Sequence, residues 1–88
     1  MSEHTPGPWS ESPDGSTIYG VDGVPVARIA AAGRPGDARS ANARLIAAAP
    51  DMLEALELFQ AARTSQELHA ALALARPAIA KARGEVKP

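Results

Sequence analysis

The fold of this chain is decided by residues 40–56, which read SANARLIAAAPDMLEAL. The larger apolar residues recur there at intervals of three and four, the spacing that places side chains on one face of an α-helix. Pro50 interrupts the run, because proline lacks a backbone N–H and clashes with the preceding turn. We therefore expect a helix that begins near Ala41, with Ser40 or Asp37 as its N-cap, and that kinks or restarts at Pro50.

A second helix start lies at residues 64–67, which read TSQE. A hydroxyl followed three residues later by a glutamate, ahead of an apolar run, is typical of a capping box. It predicts a helix over residues 66–83 that ends at Gly84. The predicted apolar stripe of this helix consists of Leu68, Leu72, Ala75 and Ile79.

The first third of the chain has the pattern of β-strands separated by turns. Residues 13–16 (PDGS) and 20–23 (GVDG) are turn sequences. They separate short candidate strands at residues 17–19 and 24–30, and two prolines favour an extended entry before Trp9.

Together these elements predict an α+β fold. We expect a small N-terminal antiparallel β-meander over residues 1–31, followed by two or three alanine-rich helices over residues 40–84. Residues 85–88 are expected to form a frayed tail, and residues 1–88 a single domain.

The composition indicates a small core. The 88 residues include twenty alanines, no cysteine and three aromatic rings. Alanine adds little volume to a core, and a chain of this length buries a modest share of its surface. Self-association is the expected supplement, so we predict a homo-oligomer, either a dimer or a higher assembly such as a hexamer.

The charge is unevenly distributed. The net charge is −1, but residues 28–44 hold four arginines against one acid. This pattern favours a small anionic ligand over a long nucleic acid, although ordinary surface charge would give the same pattern. The chain has neither a signal-peptide pattern nor an apolar run long enough for a membrane, so we expect a cytoplasmic protein with no membrane association.

The sequence offers no recognisable catalytic set. His4 and His69 are the only histidines, and neither belongs to a motif with metal-ligand spacing. The serines fall at predicted turns and caps, where hydroxyls are common for local reasons. We therefore predict that the protein is not an enzyme and that it has no catalytic residue, metal site or cofactor.

The candidate binding site lies where the last predicted strand leads into the first helix. Free N–H groups at a helix start and guanidinium groups both bind phosphates, which favours Arg28, Arg39 and Arg44 as ligand contacts. Asn42 shares the predicted apolar face, and a buried amide there needs hydrogen-bond partners. It would either fix the register of two helices or bind a base edge or a ribose hydroxyl. The alternative is a hydrogen bond to the local backbone. Trp9 either stacks a base or belongs to the core.

Two stretches resemble a widespread family of small phage and prophage proteins: residues 4–9 (HTPGPW) and residues 42–56 (NARLIAAAPDMLEAL). The layout is also similar to the first Thoeris anti-defence family of phage sponges. That resemblance implies an N-terminal antiparallel sheet with C-terminal helices, assembled as dimers or higher oligomers. It further implies sequestration of cyclic ADP-ribose-type immune signals in the bacterial host cytoplasm, and in some members of cyclic oligonucleotides at separate sites.

The resemblance implies that Asn42 and Arg44, at the start of the long helix, contact the ligand, because both positions match the family motif. It also implies a contact for Arg28, although no motif includes that position. The expected function is thus an anti-defence sponge that holds a small anionic nucleotide without cleaving it. The alternative is a small phage structural or adaptor protein whose alanine face docks a host or phage protein. DNA binding is the weakest reading, because the net charge is negative.

Overall fold

A computed structural model describes residues 4–30 and 36–84 of the chain. The predicted α+β fold is confirmed, because within these residues a three-stranded antiparallel sheet precedes three helices. The predicted tail over residues 85–88 lies outside the described residues, as do residues 31–35 of the predicted loop. The elements are β1 (Ser10–Glu11), β2 (Thr17–Tyr19), β3 (Pro25–Arg28), α1 (Gly36–Ala47), α2 (Ala49–Ala61) and α3 (Ser65–Arg83).

The sheet is a meander in the order β1-β2-β3. Ile18 in the central strand lies opposite Glu11 and Ala27, and the β2–β3 register shifts between Ile18 and Tyr19. The third strand is shorter than the predicted 24–30. The Gly23 N–H donates to the Gly20 carbonyl at 3.0 Å and closes the 20–23 turn, and the Val24 N–H donates to the Asp22 carboxylate at 3.1 Å, so Val24 lies between this turn and the strand.

The prediction for the start of the first helix was wrong. Helix α1 begins at Gly36, so Ser40 and Asp37 lie inside the helix and neither is its N-cap. A proline at position 35 in the sequence suits a helix start just there, a signal that the periodicity beginning at Ala41 did not include.

The restart at Pro50 is confirmed. Helix α1 ends at Ala47, Ala48 is the N-cap of α2, and Pro50 lies in the first turn of α2. Proline is tolerated there because the first N–H groups of a helix have no partner within it. Asp51 occupies the same turn, where the helix dipole favours a negative charge.

Helix α3 also starts and ends as its sequence predicts. The Thr64 hydroxyl accepts a hydrogen bond from the Glu67 N–H at 3.1 Å, and the Glu67 carboxylate accepts one from the Thr64 N–H at 3.2 Å. Gly84 closes the helix in the left-handed conformation, with φ of 74°. Pro77 lies inside the helix.

The core lies between the sheet and α1 and is built mainly from alanine. Ile18, Ala43 and Ala47 are fully buried, and Ile18 is the one large fully buried side chain among the described residues. Trp9, Val26, Ala27, Ile29 and Ile46 are partly buried against this cluster.

Helices α2 and α3 pack together as an antiparallel hairpin, and the predicted apolar stripe of α3 lies at the side of their contact. The buried residues of this hairpin are alanines, Ala55, Ala71 and Ala78, whereas Leu68 and Leu72 are each 39 % exposed. Small side chains let two helix backbones approach closely, and this geometry leaves the leucines at the side of the contact. None of the described helices is long and apolar enough to cross a membrane.

A single lysine connects three parts of the chain. The Lys81 ammonium of α3 donates a hydrogen bond to the Trp9 carbonyl at 2.8 Å and forms an ion pair with Asp51 at 3.1 Å. It thereby holds the segment before β1 against the start of α2 and the end of α3. The Trp9 indole N–H donates to the Thr5 carbonyl at 3.0 Å, which fixes that segment locally.

Candidate functional site

The strand-to-helix region contains a groove between the end of β3 and the outer face of α1. It has a volume of about 250 Å³ and is lined by both Arg28 and Asn42. Strand β3 places Arg28 at its last residue, and α1 places Asn42 one turn before the apolar Leu45 and Ile46. The complete lining is Arg28, Ile29, Ala30, Asn42, Leu45 and Ile46.

The groove combines charge, an amide and an apolar floor. Arg28 and Asn42 are both exposed, so their polar groups are available to a ligand in solution. Leu45 is 53 % exposed and supplies an apolar surface beside them. The expectation that Asn42 shares a face with Leu45 and Ile46 is confirmed, but the expectation that this amide is buried is wrong, because the sheet covers the Ala43–Ala47 side of α1 instead.

Arg44 does not join this groove, and its predicted position at a helix start is wrong. It lies in the last turn of α1, far from the free N–H groups at the start of that helix. Its side chain lines a separate hollow of about 190 Å³ under the 12–15 turn, together with Ser12 and Ser40. The guanidinium also lies against Gly84 at the end of α3.

The Arg44 guanidinium is held by packing more than by hydrogen bonds. Its Nε atom is buried and has no hydrogen-bond partner within residues 4–30 and 36–84. A cation near the last carbonyl groups of α1 and α3 is favoured by the dipoles of both helices. This surrounding suits a structural role for Arg44 as well as a binding one.

Arg39 lies on the side of α1 that faces the first turn of the meander. Its charge helps to lower the pKa of Asp14 to about 2, although hydrogen bonds from Ser16 and Ser12 are the larger causes. Arg39 is exposed and is not part of the groove that holds Arg28 and Asn42.

Trp9 packs against the core, which is the second of the two roles that the sequence left open for it. The ring is partly buried against the Ile18 cluster and is contacted edge-on by His4, with ring centroids 6.3 Å apart. It does not line the groove that holds Arg28 and Asn42. The structure therefore brings together two of the five predicted binding residues and places Arg39, Arg44 and Trp9 elsewhere.

The sequence matches a known family over most of its length. A family model described as Salmonella phage P22 protein Y8K6 matches residues 1–86. The chain belongs to this family. No curated protein and no solved structure matches the chain.

Membership of the P22 Y8K6 family confirms the resemblance to small phage proteins. The match extends over nearly the whole chain, so it includes both the sheet and the helices. The narrower likeness to Thoeris anti-defence sponges stays a prediction.

Sequence reasoning missed a hollow between residues 4–8 and the start of α2. This hollow of about 280 Å³ is lined by His4 and by three carboxylates, Asp51, Glu54 and Glu57. Their spacing of three along α2 is the signal that could have found this acidic surface. Its negative charge disfavours an anionic ligand there. Of the hollows described, the Arg28–Asn42 groove is the one that combines an exposed arginine and an amide with apolar side chains, and we take it as the candidate site in this member of the P22 Y8K6 family.

Proposed function

We propose that this protein is a phage anti-defence sponge, which binds a small anionic, nucleotide-derived immune signal in the host cytoplasm and sequesters it without cleaving it. The signal is of the cyclic ADP-ribose type or a cyclic oligonucleotide. The observation that carries the proposal is the groove that joins Arg28 and Asn42 above Leu45 and Ile46.

Each part of the groove corresponds to a part of a nucleotide. The guanidinium of Arg28 matches the geometry of a phosphate, to which it can donate two parallel hydrogen bonds. The amide of Asn42 both donates and accepts, as reading a base edge or a ribose hydroxyl requires. Leu45 and Ile46 offer apolar contact to the face of a base.

The size of the groove argues for an assembly. Its volume of about 250 Å³ lies below the range of about 300–1,000 Å³ common for small-molecule sites. A whole signalling nucleotide would therefore extend beyond it, and arginines from a second subunit would clamp the remaining phosphates. The family match to a phage protein supports the biological setting.

Isothermal titration with cyclic ADP-ribose isomers and cyclic di- and trinucleotides tests the proposal. For the ligand that binds, we expect Arg28→Ala to weaken affinity about tenfold or more, because hydrogen bonds to charged groups contribute about 1.5–3 kcal/mol. We expect a smaller loss for Asn42→Ala, about two- to tenfold, because its hydrogen bonds to neutral groups contribute about 0.5–1.5 kcal/mol. Arg63→Ala is the matched control, since Arg63 is exposed in the α2–α3 loop. We expect Arg39→Ala and Arg44→Ala to have smaller effects, because both lie outside the groove.

Absence of heat with every nucleotide in the panel would overturn the sponge. Equal losses in Arg28→Ala and Arg63→Ala would show a general charge effect and would remove the groove as the binding site.

A structural or adaptor protein is the alternative function. The observation in its favour is the exposed apolar surface of the α2–α3 hairpin, where Leu56 is 64 % exposed. A pull-down that enriches one phage or host protein, lost on Leu56→Glu, would support it. A second copy of the chain would use the same surface. The mass of the purified protein therefore shows whether a second copy occupies this surface or whether it is free for a different protein.

A further inference from the structure

The α2–α3 hairpin carries an apolar face that none of the described residues, 4–30 and 36–84, covers. Its centre is a groove of about 180 Å³ between the two helices. Leu56 on α2 is 64 % exposed, and Ile79 on α3 is 46 % exposed. The residues that line the groove are Met52, Ala55, Leu56, Ala75, Ala78 and Ile79.

Helical spacing extends this face along α3. Leu68, Leu72 and Ile79 are separated by four and seven residues, so they lie on one stripe. Leu68 and Leu72 are each 39 % exposed. We call the groove together with this stripe the hairpin face.

The two edges of the hairpin face carry opposite charges. On α3, Arg76 lies four residues after Leu72 and three before Ile79, so it borders the stripe directly. On α2, Glu57 lies four residues after Leu53 on the edge that points away from α3. Glu57 follows Leu56 and Arg76 follows Ala75, two residues that line the same groove, so the two charges stand at similar heights along the hairpin.

We infer that the hairpin face binds a second copy of this chain. A two-fold axis parallel to the helices would place α2 of each copy on α3 of the other. Each acidic edge would then meet a basic edge, with Glu57 of one protomer beside Arg76 of its partner. An axis across the helices would instead place α2 on α2 and Glu57 beside Glu57, which like-charge repulsion disfavours.

The resulting assembly is a four-helix bundle formed by two hairpins. Left-handed bundles pack helices through apolar side chains that interdigitate, with charged residues at the flanking positions. The hairpin face has this pattern, because leucine and isoleucine occupy the centre and Glu57 and Arg76 occupy the flanks. In this dimer the large apolar side chains of the hairpin face would be buried between the two copies, whereas the interior of one copy buries mainly alanine.

Light scattering and sedimentation of the full chain, without any ligand, test the inference. We expect a dimer for the unmodified protein and a monomer for Leu56→Glu, which would bury a charge at the centre of the face. Leu58→Glu is the matched control, because Leu58 is 40 % exposed but lies on the opposite side of α2 from Leu56. We expect Leu58→Glu to leave the mass unchanged.

Charge exchange tests the symmetry and does not depend on Leu56→Glu folding. Glu57→Arg and Arg76→Glu should each raise the dissociation constant of the dimer about tenfold, since a two-fold axis repeats the pair. The double variant should restore association. Circular dichroism of each variant confirms that the helices are retained.

A purified chain that stays monomeric over the accessible range of concentration would overturn the inference and leave the face to a different protein. A dimer whose stability is unchanged by both single reversals would overturn the proposed arrangement. Because no nucleotide is present, these outcomes are independent of whether the protein is a sponge.

Discussion

Asp14 shows how much a few local contacts can change one carboxyl group. Its Oδ1 accepts hydrogen bonds from the Ser16 hydroxyl at 2.7 Å, the Ser12 hydroxyl at 2.8 Å and the Ser16 N–H at 3.1 Å. These bonds favour the charged form, and with a smaller contribution from Arg39 they lower the pKa of Asp14 from 3.8 to about 2.

We predict that Ser16→Ala raises the pKa of Asp14 toward its ordinary value, because it removes the shortest of these bonds. Side-chain carboxyl titration by NMR measures the change, with Ser65→Ala as a control far along the chain. The folded-state pKa is depressed, so the stabilisation from ionised Asp14 is complete above the ordinary pKa of 3.8 that the unfolded chain has. It is lost as the pH falls through about 2. An Asp14 that titrates near 4 in the unmodified protein would contradict the prediction.

The candidate site shows which residue placements a sequence can and cannot give. Asn42 and Arg44 are two positions apart on one helix, and residues at that spacing do not face the same direction. Helical geometry alone could therefore have separated them, and the structure does so. The meeting of Arg28 with Asn42 depends on how β3 docks against α1, which no local pattern contains.

At the scale of the elements, the boundaries set by local chemistry were predicted well. The capping box at Thr64 and Glu67, the proline restart at Pro50 and the glycine end at Gly84 each depend on a few neighbouring residues. The start of α1 was missed, because the apolar periodicity begins later than the helix itself. The residues that α3 buries are Ala71 and Ala78, whereas its predicted apolar stripe lies beside them and stays half-exposed.

The end of α3 yields a prediction about glycine. Gly84 has a φ of 74°, and a Cβ there would meet the Arg44 side chain. Gly84→Ala should therefore lower the free energy of unfolding by more than the roughly 1–2 kcal/mol expected for a left-handed residue alone. Gly23 is the matched control, because its φ is 82° and a Cβ there meets nothing within 4 Å. Chemical denaturation followed by the fluorescence of Trp9 measures both variants.

Arg44 provides the second arm of that experiment. In an Arg44→Ala background the clash is absent, so the cost of Gly84→Ala should fall to that of Gly23→Ala. Equal costs for the two glycine variants in the unmodified background would show that the Arg44 side chain moves aside without loss.

For the whole molecule, the size of the core makes association important for stability. Ile18 is the one large fully buried side chain among the described residues. Full burial of a large apolar side chain contributes about 1.5–3 kcal/mol, so completing the burial of four half-exposed residues would add about 3–6 kcal/mol per copy. The four are Leu56, Leu68, Leu72 and Ile79. That contribution is comparable with the entire stability of a small domain, about 5–15 kcal/mol.

A chain stabilised in this way should melt at a temperature that depends on its own concentration. Dilution favours the monomer, and about a hundredfold change in concentration shifts the free energy of a dimer by about 2.7 kcal/mol. For a dimer of this size we predict a Tm that rises by about 5–10 °C over that range. Calorimetry or the fluorescence of Trp9 at both concentrations measures it. In Leu56→Glu the Tm should be lower and independent of concentration, whereas an unmodified protein with a constant Tm would mean that the alanine core is sufficient by itself.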